Sequence, residues 1–193
     1  MARPSIKKQR TEEILQAYER CIALYGVEGA TLQRISEEAG LARPLLRHHV
    51  GNSDALLEQA LDRFLERGKD SMEEFYNVLP NPCDGETFLA FLFDEECSED
   101  QQSDVMIASS FIAAAQTRPD VRAKMKDWFT DFEKEFTAQL SAIYPKASQD
   151  VLKDVAYGII GIYFNAEALQ PLSQGDVRHH SYNAALQLLK ILD

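Results

Sequence analysis

The chain has little with which to build a disulfide framework, a metal cage or a membrane span. Only three cysteines occur, Cys21, Cys83 and Cys97, an odd number without paired CxxC spacing. Neither a disulfide framework nor a zinc site is expected, and a reducing cytoplasm is the simpler setting. No apolar run approaches the roughly 20 residues that cross a bilayer. The basic start, with Arg3, Lys7, Lys8 and Arg10, leads into no apolar segment, so a secretory signal is not expected either. Glycine-rich phosphate loops, nucleophile elbows and His-x-x-x-His pairs are lacking, as is any run of strict alternation that would mark a strand. No catalytic residue, cofactor or metal site is therefore assigned, and an enzyme is not expected. The acidic run Asp94 to Asp104 includes Glu95, Glu96, Glu99 and Asp100, but its spacing fits no calcium loop. It reads as a solvated loop joined to helix ends.

What is present is a helical chain with unevenly distributed charge. The 193 residues are 45% hydrophobic, with a net charge of −11. Residues 1–50 hold eight Lys/Arg against six Asp/Glu, whereas residues 51–193 hold twelve against twenty-five. A mildly basic head on an acidic body is compatible with local contact to nucleic acid despite the overall sign.

The head contains two short helices in close succession. Thr31 can cap the first, whose inner face is Leu32, Ile35 and Ala39. Gly40 supplies the positive φ for a sharp exit, and Leu41 plugs the corner. Pro44 is tolerated because it falls in the first turn of the second helix, where its missing N–H would have no partner. That helix, about 43–50, carries Arg43, Arg47, His48 and His49 and no acidic residue. The pair forms a helix-turn-helix whose second helix offers a basic face to phosphates and base edges. Arg43 can grip a guanine edge with two parallel hydrogen bonds, and Arg47 follows one turn later. His48 and His49 point about 100° apart on a helix and do not readily share a metal ion.

Helices are expected over about 5–25, ended by Gly26 and Gly29, and from an Asn52 cap onward, with Leu56, Leu57, Ala60, Leu61, Phe64 and Leu65 inward. Pro80-Asn81-Pro82 is the firmest break. Further helices are expected over about 85–97, 104–117, 119–144, 148–170 and 175–192. Arg178-His179-His180 reads as an exposed helix start rather than a catalytic site.

The set Thr31, Ile35, Ala39-Gly40-Leu41, Pro44, Leu46, His48-His49-Val50, Asn52 and Leu56-Leu57 resembles the DNA-binding segment of the TetR (tetracycline-repressor) family. Ile14, Leu15, Ala17, Gly26 and Gly29 fit that family's first helix, so the resemblance covers residues 8–60. The pattern departs at Ala42, where a Ser or Thr cap is usual, at Arg47, where a Tyr is usual, and at Ser53, where a Lys is frequent. The resemblance implies an all-α fold, with an N-terminal three-helix helix-turn-helix head and a helical ligand-binding and dimerisation body, about nine helices in all. The division would be 1–52 for DNA binding and 53–193 for the rest. DNA contacts would fall on Thr31, Arg43, Pro44, Leu45, Arg47, His48 and His49. Leu45 would offer apolar contact to a base, and Thr31 its hydroxyl or backbone N–H to a phosphate.

In the body, Phe88, Phe91, Leu92, Met106, Phe111, Trp128, Phe132 and Tyr163 are candidates to line a ligand cavity, although an aromatic stripe at helical spacing also serves as core. Asn165 can bond a ligand or a neighbouring chain. The last two helices are apolar over an arc too wide for one core, and Gly158 and Gly161 suggest a close backbone approach. A partner subunit is therefore expected, meeting Val155, Ile159, Ile160, Ala185, Leu188 and Leu189. The expected function is a dimeric cytoplasmic repressor on a near-palindromic double-stranded operator, released by a small-molecule effector, with no membrane partner. The alternative is a helical small-molecule-binding or interaction protein whose head has lost DNA affinity.

Overall fold

The computed structural model describes residues 6–93, 99–169, 172 and 177–192, without the side chains of 6 and 99–102. Among these residues are nine α-helices and no strand: α1 Ile6–Gly29, α2 Leu32–Ala39, α3 Arg43–Val50, α4 Ser53–Val78, α5 Gly85–Leu92, α6 Glu99–Ala114, α7 Pro119–Ile143, α8 Gln149–Leu169 and α9 Val177–Leu189. The expected all-α class is found. One boundary differs: α6 begins at Glu99, inside the acidic run read as a loop. Residues 94–98, with Asp94, Glu95 and Glu96, and the side chains of Glu99 and Asp100 lie outside the described residues, as does the last part of the helix expected to 97. Among the described residues no helix is long and apolar enough to cross a membrane, and no cluster of His, Cys, Asp or Glu could hold a metal.

The chain forms two compact units, Met1–Asp70 with Met106–Met125, and Ser71–Val105 with Lys126–Asp193. Helices α4, α6 and α7 each contribute to both. In the first unit, Ile14, Ala17 and Ile22 of α1 are fully buried, as is Ala60 of α4. Phe64 of α4 meets Phe111 of α6 at 5.5 Å between ring centroids, and Ser110 donates to the Ile22 carbonyl at 3.1 Å. Charge brackets α4 on two sides. Glu19 of α1, with its side chain 9% exposed, lies 3.1 Å from both Arg63 and Arg67. Elsewhere on α4, Asp54 pairs with Arg118, and Glu58 and Asp62 pair with Lys124. These outer pairs are solvated and contribute little each; the pairs to Glu19 are the better shielded, and Arg63 is held by Glu12 of α1 as well.

The second unit is built on aromatics. Phe88 of α5 sits edge-on between Phe75 and Phe136, with centroids 5.7 and 5.1 Å away. Asp84 caps α5 by accepting from the Thr87 N–H at 2.7 Å, which holds its carboxyl below the usual range. Gly85 suits this packing, since a Cβ there would overlap the Tyr144 hydroxyl and lie 2.9 Å from Leu189 Cδ1. Helices α8 and α9 pack together over Leu152, Val155, Ala156, Ile159, Ile160, Ala185 and Leu189. Glu167 and Arg178 close their loop end with a 2.6 Å ion pair, at 3% and 12% side-chain exposure. Arg178 is thus not part of an exposed helix start, whereas His179 and His180 are exposed.

Candidate nucleic-acid interface

The helix-turn-helix forms as its residues dictate. Thr31 is extended and caps α2 by accepting from the Arg34 N–H at 3.4 Å. Gly40 takes a left-handed φ of 63°, and the Leu41 N–H returns to the Ser36 carbonyl at 3.0 Å. Helix α3 then starts at Arg43, with Pro44 in its first turn and Ala42 as a cap without a side-chain bond. Leu46 and Val50 are buried and anchor the helix, while the Gln59 amide donates to the Val50 carbonyl at 3.1 Å.

That anchoring leaves Arg43, Pro44, Leu45, Arg47 and His48 exposed together, with Thr31 exposed one helix earlier. Leu45, at 41%, is a large apolar side chain facing water, as a contact to a base methyl would need. The Arg43 guanidinium donates to the Gln33 Oε1 at 2.6 Å, which ties the base-reading candidate to α2. His49 is half-buried, and its Nδ1 is buried without a partner, leaving only Nε2 for an outside acceptor. The two histidine rings meet edge-on at 5.4 Å. On α1, Lys7, Lys8 and Arg10 are exposed, and Arg10 pairs with Glu13 at 2.6 Å; Arg3 lies outside the described residues.

The candidate ligand residues are brought together only in part. Phe88, Phe91, Leu92, Trp128, Phe132 and Tyr163 belong to the second unit, whereas Met106 and Phe111 belong to the first. Trp128 stacks on Phe132 at 5.9 Å, and Phe132 packs on Phe136. Phe88 and Phe111 are fully buried core, and Phe91 is 42% exposed. The Tyr76 hydroxyl was not foreseen: it is buried in this unit without a hydrogen-bond partner among the described residues, and burial followed by the Glu135 charge pushes its pKa up. A groove of about 610 Å³ on α7 and α8 is lined by none of the candidates but by polar residues such as Lys134, Ser141 and Lys153.

The expected interface residues need correction. Val155, Ile159, Ile160, Ala185 and Leu189 are at most 4% exposed within the single chain, and Leu188 is half-buried beside Gly158. They belong to the chain's own core, in which α8 packs against α9. The same helices expose Tyr157 at 62%, Gly161, Asn165, Leu169 and Ala184, and Ile191 is exposed in the turn after α9. Gly158 makes room for the Leu188 side chain, and Gly161 faces open space.

The arrangement is that of a helix-turn-helix within a first helical unit, followed by a second helical unit. No family model matches the chain. Over 66 residues it is 38% identical to the HTH-type transcriptional repressor AcnR of Corynebacterium jeikeium, which is 34% of this chain and 31% of that protein. The match thus spans about a third of that curated relative's length. Among solved structures, a TetR transcription regulator from Haloarcula marismortui aligns with a TM-score of 0.71 at 21% identity, over 94% of this chain and 96% of that one. A protein from Saccharomonospora viridis solved in complex with choline aligns at 0.78 and 12% identity, over 95% and 96%. The chain has the fold of the TetR-family transcriptional regulators over nearly its whole length.

Proposed function

We propose that the chain is a dimeric, cytoplasmic, DNA-binding transcriptional regulator that acts as a repressor, with residues 1–52 binding DNA and residues 53–193 binding effector and partner. The observation that carries this reading is α3: an eight-residue helix, anchored by Leu46 and Val50, that projects Arg43, Arg47 and His48 into solvent without one acidic residue. Two such helices, related by a two-fold axis, suit successive major grooves of a near-palindromic operator. The dimer is proposed to form through α8, α9 and the turn that follows, using the exposed Tyr157, Gly161, Leu169, Ala184 and Ile191 rather than the buried set. Relatives and fold neighbours that are transcriptional regulators support this, and the choline complex of one neighbour supports a small-molecule effector in the second unit. The effector would favour a DNA-incompetent state through α4, which contributes residues to both units.

A second reading, a binding protein with a weakened head, draws support from Ala42, which gives α3 no side-chain cap, and from the engagement of Arg43 with Gln33. Selection of binding sites from a random duplex pool, followed by titration of the enriched sequence at two salt concentrations, separates the two. Enrichment of a two-fold symmetric site supports the regulator. Failure to enrich any sequence, with the protein folded, favours the second reading.

A further inference from the structure

Arg43, the first residue of α3, donates from Nη2 to the Gln33 Oε1 of α2 at 2.6 Å. The Gln33 Nε2 in turn donates to the Glu37 Oε1, one turn along α2, at 2.9 Å. A cation, an amide and an anion thus form a relay that joins the two helices of the helix-turn-helix, with all three residues exposed.

The two ends of the relay fix the amide between them. A guanidinium has only donors and must face the amide oxygen; an ionised carboxylate has only acceptors and must face the amide nitrogen. Both partners therefore ask for the same orientation of Gln33. A glutamate at position 33 would hold Arg43 but repel Glu37. A lysine there would hold Glu37 but repel Arg43, and a leucine would hold neither. The amide is the side chain that suits both neighbours.

The tie leaves Arg43 able to read a base. Its Nη2 carries two N–H groups, and Gln33 engages one. Whichever it is, a parallel pair remains, from Nη1 with Nη2 or from Nε with Nη2, and such a pair is what guanine O6 and N7 accept. A long side chain already held in one direction loses less freedom when it binds. We infer that Gln33 is a positioning residue that sets specificity, aiming Arg43 at one guanine in each half-site, an inference that rests on the DNA-binding reading proposed above.

The test is binding-site selection from a random duplex pool with the full-length parent, Gln33→Leu, Arg43→Ala and the double variant, followed by fluorescence anisotropy at matched salt. The parent should select a guanine in each half-site, and Arg43→Ala should lose that preference. Gln33→Leu should reduce discrimination at the same base pair about three- to tenfold, a modest effect because the tie is solvated. In the Arg43→Ala background it should add nothing further. Exchanging the pair, Gln33→Glu with Glu37→Gln, gives Arg43 its acceptor back at unchanged net charge and should restore discrimination. A role confined to the stability of α2 would instead weaken binding to all duplexes alike, lower the melting temperature and add to the effect of Arg43→Ala; that pattern would overturn the proposal. So would a preference lost at a different base pair in Gln33→Leu, which would make Gln33 a reader in its own right. A site enriched by the parent and read identically by Gln33→Leu would overturn this proposal alone, whereas a parent that enriches no sequence would overturn the regulator reading with it.

Discussion

Helices α3 and α8 use a helix in opposite ways. α3 is held by two buried side chains, Leu46 and Val50, and keeps its arginines and a histidine in water. α8 buries Leu152, Val155, Ala156, Ile159, Ile160 and Ala166 inside its own chain and leaves a narrow exposed face with Tyr157, Gly161 and Leu169. A helix with so small an anchor can change its outward residues freely, whereas a helix so deeply packed cannot change its inward ones. Variation in the specificity of α3 is therefore cheap in stability, and variation in α8 is confined to its exposed face.

The largest test of that contrast lies in α8. Ile160→Asp would bury an unpaired carboxylate in a site 1% exposed and should unfold the second unit, seen as loss of the cooperative thermal transition. Tyr157→Asp, three residues earlier but 62% exposed, should keep the fold and turn the proposed dimer into a monomer by light scattering. A folded Ile160→Asp protein would break the comparison at its buried end; a dimeric Tyr157→Asp would break it at the exposed one.

On α3, Arg43→Ala should cost about 1–3 kcal/mol at a selected operator and relax sequence preference at one base pair. Thr31→Val should weaken binding to all sequences alike, because a phosphate contact positions without specifying. Both are read by fluorescence anisotropy at matched salt. If thermal stability fell with Arg43→Ala by as much as operator affinity did, the arginine would be a structural tie to Gln33 and not a reader.

Smaller effects sharpen the picture. Ala42→Ser should supply the missing cap and raise the unfolding free energy by about 1 kcal/mol in urea titration, since α3 now starts without one. An unchanged midpoint would mean that backbone packing already satisfies that end. Smallest of all, Tyr76→Phe removes a buried hydroxyl that has no partner among the described residues and should leave stability unchanged or slightly raised. A clear loss in the same assay would reveal a bonded hydroxyl, through water or a ligand.

The sequence by itself determined the helical class, the break at Pro80 and the geometry of the helix-turn-helix. Those features are local: the Thr31 cap, the Gly40 turn, the Pro44 start and the Asn52 cap each act within a few residues. The exposed character of Arg43, Arg47 and His48 was legible for the same reason, since charge on a short helix anchored by two apolar residues has one direction in which to point. Which partner an apolar residue meets was not legible. Ile159 and Ile160 look alike whether they face α9 of the same chain or a second subunit, because the hydrophobic effect carries no address. Nor did spacing reveal that Phe111 and Phe132 fall in different units, or that Glu19 of α1 would reach two arginines of α4 far along the chain. These pairings join residues far apart in sequence, and only the packing of whole helices against one another decided them.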